Sequence, residues 1–152
     1  MTISQKGIDL IKGFEGCVLH AYLDIASVPT IGWGSTRYEF GGIVKMTDPP
    51  ITQEHADELF WITLQGFSKE VDAMVTDRVN QNNFDALVSL AYNIGSPSFK
   101  TSTVRRLVNA NPNNLAIRAA FMMWDKVHVD GVLRVSDTLF KRRRRESDYY
   151  FS

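Results

Sequence analysis

The strongest constraint on the fold of this chain is a β-prone segment, punctuated by glycine, that lies between stretches of helical periodicity. It runs from about residue 17 to residue 44 and contains Thr30-Ile31-Gly32-Trp33 and Tyr38-Glu39-Phe40. Its recurring glycines are Gly32, Gly34, Gly41 and Gly42. This combination predicts a small antiparallel sheet with tight turns.

A helix is expected on the N-terminal side of this sheet. Ser4 is suited to cap it, and Gly16 is suited to end it. The apolar side chains that recur between them at helical spacing are Ile8, Ile11 and Phe14. This spacing places Glu15 in the last turn of the helix.

A long helix is expected to follow the sheet. Asp48-Pro49-Pro50 marks a break in the chain, and Thr52 has the character of an N-cap. The helix is expected to run from there to about Arg78. The remainder is predicted to be helical throughout, with helices at about 83–94, 102–109, 111–124 and 136–150.

The bulk composition indicates one domain and argues against nucleic-acid binding through overall charge. A chain of 152 residues with a hydrophobic fraction of 44% can bury a core of its own. Its 17 basic and 17 acidic side chains cancel, so no overall field is expected to capture nucleic acid. The single cysteine, Cys17, cannot form an intramolecular disulfide and is expected to act as a small buried hydrophobe.

The N-terminal sequence lacks a basic segment followed by an apolar run, and no stretch is long enough to span a membrane. We therefore expect no signal peptide, and a protein that is made in a reducing cytoplasm. A target outside that compartment would require another component for export.

Two acids and a threonine could carry glycosidase chemistry. Glu15 ends the first helix, Asp24 lies in the first part of the expected sheet, and Thr30 follows six residues later. Cleavage of a glycosidic bond needs one protonated carboxyl group and a second, ionised one that directs water or supports positive charge. The two groups must lie in different surroundings for these states to coexist. The residues alone leave open that Glu15 is an exposed helix acid and that Asp24 only forms a turn.

Residues 15–34 contain a longer motif around these three side chains. Its fixed positions are Glu15-Gly16, Leu19, Tyr22, Asp24, Thr30-Ile31-Gly32 and Gly34. This motif resembles the signature of the phage lysozymes of glycoside hydrolase family 24, and every fixed position of that signature is filled. The similarity extends to residues 83–95, to Trp124 and to the basic stretch from Arg142 to Glu146, so it covers most of the chain.

Two positions depart from the family pattern. Ser35 stands where many relatives have histidine, and Leu139-Phe140 stands where Gly-Leu is common. Because Ser35 is not one of the catalytic three, the resemblance implies a tuned cleft rather than an inactive protein. The entry into the last helix is expected to differ from that of relatives.

The resemblance implies an α+β, lysozyme-like fold with a small β-sheet lobe and a larger helical lobe joined by a long helix. The expected single domain spans residues 1–152, with the sheet lobe at about 17–50 and the connecting helix at about 52–78. The helical lobe is expected to comprise about 79–152 together with the N-terminal helix.

The resemblance also implies a reaction, namely hydrolysis of the β-1,4 bond between N-acetylmuramic acid and N-acetylglucosamine in bacterial peptidoglycan, with lysis of the host cell. Its roles carry over to Glu15 as general acid and to Asp24 and Thr30 as the residues that position the attacking water. The family pattern implies inversion at the anomeric carbon.

Further site residues follow from aromatic character and from the same resemblance. Tyr22, Trp33 and Asn93 are expected to contact the substrate, although Trp33 could equally be a core residue. No metal and no cofactor is implied. The three histidines, His20, His55 and His128, are too scattered to indicate a zinc site.

The most conspicuous charge run is Lys141, Arg142, Arg143, Arg144 and Arg145. We expect it to form a solvated helix face. Its expected partners are Asp137, Glu146 and Asp148. A functional alternative is that the run contacts an anionic envelope surface.

Because no signal peptide is expected, we expect a monomer that waits in the host cytoplasm until a partner such as a holin opens the membrane, and we expect no nucleic-acid partner. Three alternatives to hydrolysis are disfavoured. A transglycosylase would not need water positioned by Asp24 and Thr30, and a binding module that is not catalytic would have lost an acid. A helical nucleic-acid binder that uses the basic run is disfavoured because the chain is neutral and carries no reading motif.

Overall fold

A computed structural model describes residues 1–152 and contains seven helices and two antiparallel sheets of two strands each. The helices are α1 (Gln5–Phe14), α2 (Gln53–Met74), α3 (Gln81–Ile94), α4 (Ser96–Lys100), α5 (Thr103–Ala110), α6 (Ile117–Met122) and α7 (Asp137–Tyr150). The strands are β1 (Val18–Leu23), β2 (Pro29–Gly32), β3 (Lys126–Val129) and β4 (Val132–Val135). None of the helices combines the length and the hydropathy that a membrane span requires.

The chain divides into two compact units, whose boundaries fall inside helices. One unit comprises Met1–Ile8 and Phe67–Ser152, and the other comprises Asp9–Gly66. The sequence predicts that the whole N-terminal helix belongs to the helical lobe. In the structure the part of α1 from Asp9 onward belongs to the unit that contains the first sheet.

The first sheet pairs β1 with β2, with Tyr22 opposite Thr30 and Leu23 opposite Pro29. The expectation of a β-prone piece at Tyr38-Glu39-Phe40 was wrong, because these residues form a turn. The N–H of Gly41 donates to the Tyr38 carbonyl, and the N–H of Tyr38 donates to the Gly42 carbonyl, both at 2.9 Å. Gly41 has a φ of 85°, which few side chains adopt, so this glycine closes a turn.

The N-terminus of α2 agrees with the prediction, because the Thr52 hydroxyl accepts the N–H of His55 at 3.1 Å. Its C-terminus comes earlier than the expected Arg78. The Met74 carbonyl accepts the side-chain N–H groups of Arg105 and Asn109, both at 2.9 Å. These donors from α5 satisfy a terminal carbonyl that the helix itself cannot pair, and no local sequence pattern indicates them.

The core of the larger unit is built on α3, whose residues from Asn83 to Ala91 are all buried. This helix begins earlier than predicted. Asn80 is its N-cap, and Asn80 and Asn83 exchange side-chain to backbone hydrogen bonds in a capping box. Fully buried side chains that complete this core include Phe84, Leu87, Leu90, Phe99, Phe121 and Tyr150.

The prediction that the C-terminal part is helical throughout was wrong at one place, where β3 and β4 form a hairpin. Its loop is Asp130-Gly131, with φ values of 51° and 76°. An Asp-Gly pair flanked by β-branched residues is a recognised hairpin signal because both loop positions need positive φ. The helix expected at 111–124 is correspondingly short, since α6 covers only Ile117–Met122. The last helix, α7, lies close to the predicted range of 136–150, and Ser136 caps it by accepting the Leu139 N–H.

Candidate active site

Glu15 follows the last residue of α1, where the sequence analysis expected an acid. Its N–H still donates to the Ile11 carbonyl at 3.0 Å, so the helical hydrogen-bond pattern carries through to it. The side chain is half-buried. Its position is therefore set by a helix end rather than by a free loop.

Asp24 lies at the turn between β1 and β2 and is fixed by backbone hydrogen bonds. Its Oδ1 accepts the N–H groups of Ala26 at 2.8 Å and Val28 at 2.9 Å. Its own N–H donates to the Val28 carbonyl at 3.1 Å. Both side-chain bonds use Oδ1, so Oδ2 is the oxygen that the turn leaves available to accept from another molecule.

Thr30 is buried in β2, with 3% of its surface exposed. Its hydroxyl donates to the Val28 carbonyl at 2.8 Å. This bond fixes the hydroxyl proton, so the lone pairs of Oγ1 are left to accept a hydrogen bond.

The backbone of Val28 therefore links Asp24 and Thr30. Its N–H binds the carboxylate of Asp24, and its carbonyl accepts both the Asp24 N–H and the Thr30 hydroxyl. One peptide segment thus holds both side chains and leaves one acceptor on each. A sequence cannot signal this link, since every residue carries the same backbone groups.

The phenol of Tyr22 is influenced by the charges of both acids, Glu15 and Asp24. It lies directly opposite Thr30 in the sheet, where facing side chains project on the same side. The pKa of its phenol is raised, first by burial and then by the negative charges of Glu15 and Asp24. The charges of both acids thus act on the tyrosine that faces Thr30, and its phenol stays protonated and able to donate.

Trp33 occupies a network that the sequence analysis did not anticipate. Its indole N–H donates to Asp57 at 2.7 Å, and Gln53 donates to the same carboxylate oxygen at 3.0 Å. The Lys12 ammonium lies 4.9 Å from the centroid of the indole ring, and the Phe60 ring centre lies 5.8 Å away. The hydrogen bond from Trp33 lowers the pKa of Asp57. These contacts hold the turn that directly follows Thr30-Ile31-Gly32.

Asn93 lies at the end of α3, in the unit that also contains α7. Its side-chain oxygen accepts a hydrogen bond from the Arg143 guanidinium, although the residue as a whole is exposed. The amide therefore has a structural partner.

Cys17, expected to be buried, is half-buried and its sulfur contacts the Gln53 side chain.

The expectation of one solvated basic face from Lys141 to Arg145 was wrong for two of its members. Arg142 and Arg143 are 6% and 0% exposed, and both bind Glu146, which is itself fully buried. Arg143 also donates to the Trp124 carbonyl at 2.9 Å, and burial lowers the pKa of its guanidinium. Because α7 packs on α3, the helical period turns these arginines inward.

The rest of the run is exposed, as expected. Lys141 pairs with Asp137 across one helical turn, and Arg144 and Arg145 face solvent. Asp148 binds Arg118 at 2.6 Å rather than a member of the run. The exposed part of the run is thus smaller than its sequence indicates.

The histidines lie apart. His20 and His128 are exposed, and His55 binds Glu39 at 3.0 Å. No group of three or more histidine, cysteine or acidic side chains is arranged to hold a metal ion.

Comparison with known proteins places this chain in a family. The model of the phage lysozyme family matches residues 12–146. The endolysin of Salmonella phage P22 is 40% identical over 152 residues, which cover 100% of this chain and 99% of that protein. The endolysin of Acyrthosiphon pisum secondary endosymbiont phage 1 is 35% identical with the same coverage.

Solved structures show the same relationship. An endolysin from Escherichia coli O157:H7 phage FAHEc1 superposes with a TM-score of 0.89 at 41% identity, covering 99% of this chain and 93% of that one. A P22 lysozyme mutant gives a TM-score of 0.79 at 39% identity, covering 100% and 99%. The muramidase domain of SpmX from Asticaccaulis excentricus gives 0.80 at 31% identity, covering 99% and 98%.

The predicted α+β, lysozyme-like fold is therefore confirmed, and the fold and site define a lysozyme-type hydrolase. More particularly, the chain belongs to the phage lysozyme family.

Proposed function

We propose that this protein is an endolysin that hydrolyses the β-1,4 bond between N-acetylmuramic acid and N-acetylglucosamine in peptidoglycan. The observation that carries the proposal is the Val28 link, which fixes Asp24 and Thr30 and leaves one acceptor on each. Two acceptors from a carboxylate and a hydroxyl suit a water molecule, because water can donate one proton to each. The relatives that match the whole chain are named endolysins.

In this mechanism Glu15 is the general acid that donates a proton to the leaving oxygen. The Asp24 carboxylate draws a proton from the water as the bond to the anomeric carbon forms, and Thr30 fixes the orientation of that water. Because the water attacks the face opposite the acid, the product has inverted configuration. Tyr22, protonated between the two acids, is proposed to donate to the substrate.

The other proposed contacts follow from their partners. Asn93 keeps an exposed amide and is proposed to contact the glycan through its N–H₂ group. Trp33 donates its N–H to Asp57, so we assign it first to holding the turn after Thr30 and second to contacting sugar. No step of this mechanism uses a metal or a cofactor.

The setting of the reaction is also a proposal. We infer that the protein acts as a monomer, that it reaches peptidoglycan from the host cytoplasm after a holin has opened the membrane, and that nucleic acid is not a partner. The exposed cations Lys141, Arg144 and Arg145 are proposed to aid approach to an anionic envelope.

Glu15→Gln tests the assignment of the acid. Loss of the proton donor is expected to lower the turnover of purified peptidoglycan by about 10²–10⁴-fold while the protein stays folded. Glu58→Gln, an exposed change on α2, is the matched control and is expected to keep full activity. Turnover is measured as the release of reducing sugars, and mass spectrometry identifies the products.

Retention of more than about a tenth of the turnover by Glu15→Gln would remove this residue from the acid role. Anhydro-sugar products from the unmodified protein would contradict hydrolysis and favour transglycosylation.

A further inference from the structure

The Asp9–Gly66 unit contains a pocket outside the candidate active site. Its volume is about 410 Å³, within the range of roughly 300–1,000 Å³ that small-molecule sites occupy. Its walls include the side chains of Tyr38, Phe40, Asp48, Pro49, Pro50 and His55. We call it the Tyr38 pocket. No member of the candidate catalytic set lines it.

The aromatic wall of the Tyr38 pocket is fixed in place although it is exposed. The Phe40 ring is 77% exposed and stacks on the Tyr38 ring, with 5.4 Å between centroids and 16° between planes. The His55 ring continues the stack at 6.4 Å from Tyr38. A Cβ at Gly42 would overlap the Phe40 ring, so the absence of a side chain there allows the ring to fold against the turn. The exposed apolar face is therefore preorganised.

The polar edge of the Tyr38 pocket offers an acceptor. Oδ2 of Asp48 accepts the Tyr38 hydroxyl at 2.7 Å and the Lys45 N–H at 2.8 Å. These bonds lower the pKa of Asp48, the backbone bond first, so the group stays ionised at neutral pH. Both bonds use Oδ2, and Oδ1 remains to accept from a ligand. Phenol and backbone donors thus fix the carboxylate beside the aromatic wall.

These features select a class of ligand. An anion is disfavoured by the Asp48 carboxylate, and a fully apolar ligand would leave its Oδ1 without a donor. A pyranose ring satisfies both requirements, because it has a face of C–H groups that packs on an aromatic ring and hydroxyl donors along its edge. An acetamido methyl group would suit the wall formed by Pro49 and Pro50.

We propose that the Tyr38 pocket binds an uncharged N-acetylhexosamine ring of the glycan strand, as a second carbohydrate site outside the active site. The identity of the glycan rests on the proposed function. Such a site would keep an insoluble strand attached between cleavage events, because a second contact raises the effective concentration of the first.

The first test measures binding in the Glu15→Gln background, so that the sugar is not cleaved. Titration with the trimer of N-acetylglucosamine is expected to shift backbone NMR signals of residues 38–42 and 48–55, beside any shifts around Asp24. Adding Phe40→Ala is expected to weaken trimer binding, as followed by the signals of residues 38–42 and 48–55, about tenfold. Phe140→Ala, a matched exposed phenylalanine of the other unit, is expected to leave it unchanged.

The proposal is overturned if the trimer at high concentration shifts no signal of residues 38–42 and 48–55, or if Phe40→Ala leaves those shifts as they were. It is also overturned if a stem dipeptide without sugar shifts these residues and the trimer does not, since the pocket would then recognise peptide. The folded state of Phe40→Ala is checked by the unchanged signals of the rest of the unit.

The second test measures turnover with an otherwise unmodified active site. Phe40→Ala is expected to reduce cleavage of insoluble peptidoglycan severalfold more than cleavage of soluble tetrasaccharides, because a short product that diffuses away gains less from a second attachment point than a strand that stays in place. Phe140→Ala is expected to keep the ratio of the unmodified protein. An unchanged ratio in Phe40→Ala would contradict the proposal while leaving the proposed hydrolysis intact. A protein that binds the trimer in this pocket but cleaves nothing would instead contradict the proposed function alone.

Discussion

At the scale of single residues, the candidate site depends on which oxygen of each group is already used. Oδ1 of Asp24 accepts two backbone N–H groups, and the Thr30 hydroxyl donates its proton to the Val28 carbonyl. Each side chain therefore has a defined remaining function as an acceptor. This division of roles favours a water molecule over a covalent bond to Asp24, because a nucleophilic carboxylate would gain little from the threonine hydroxyl.

The stereochemistry of the product is the corresponding prediction. In the proposed mechanism water attacks the face opposite Glu15, so the first sugar anomer formed from a β-linked oligosaccharide is expected to be α. Proton NMR during the first minutes of cleavage distinguishes the anomers before they interconvert. The same spectrum recorded without enzyme gives the spontaneous anomer ratio. Initial formation of the β-anomer would overturn the assignment of Asp24 and Thr30.

At the scale of elements, α7 shows how a helix divides a run of like charges. Its inward residues include Arg142, Arg143 and Glu146, and the carboxylate of Glu146 also accepts the hydroxyl of Ser89 on α3. Arg142 donates to the Ser89 carbonyl. The buried Glu146 carboxylate thus balances the charge of two guanidinium groups and links α7 to α3 through its hydrogen bond with Ser89.

Glu146→Gln is expected to lower the free energy of unfolding by about 3–5 kcal/mol, because it leaves buried guanidinium charge without its partner. Asp148→Asn is the control, since Asp148 forms an exposed pair with Arg118, and its cost is expected to stay within about 1 kcal/mol. Urea unfolding followed by circular dichroism measures both. Equal stability losses in the two variants would show that the buried pair contributes no more than the surface pair.

At the scale of the whole molecule, formal charge cancels while the exposed part of the basic run remains. A neutral protein is not steered to an anionic surface by its net charge, so approach to an envelope depends on local cations. Of these, Lys141 forms an exposed pair with Asp137, and Arg144 faces solvent. The buried members, Arg142 and Arg143, are unsuited to this role.

Lys141→Gln combined with Arg144→Gln is therefore expected to slow lysis of permeabilised cells more than cleavage of soluble oligosaccharides. The difference is expected to grow at low salt, because the screening length rises from about 10 Å at 0.1 M to about 30 Å at 0.01 M ionic strength. Lys69→Gln with Lys100→Gln removes the same charge from other exposed positions. Similar losses in both pairs, or on both substrates, would exclude a local role for α7.

Elements that depend on neighbouring residues are predictable from the sequence alone. The capping residues Thr52, Ser102 and Ser136 act through their own neighbours, so their helices begin where the pattern places them. The motif from Glu15 to Gly34 likewise identified the family, because its residue types and spacing are written in the chain. The Asp130-Gly131 hairpin was also encoded locally, although the helical expectation hid it.

Features that depend on distant partners are visible only in the folded structure. Helix α2 ends at Met74, whose carbonyl accepts donors from α5, and Arg143, expected at the surface, is buried and paired with Glu146. The indole of Trp33 likewise donates to Asp57 on α2. A local pattern cannot indicate these results, because burial and pairing are set by side chains that come together only when the chain has folded.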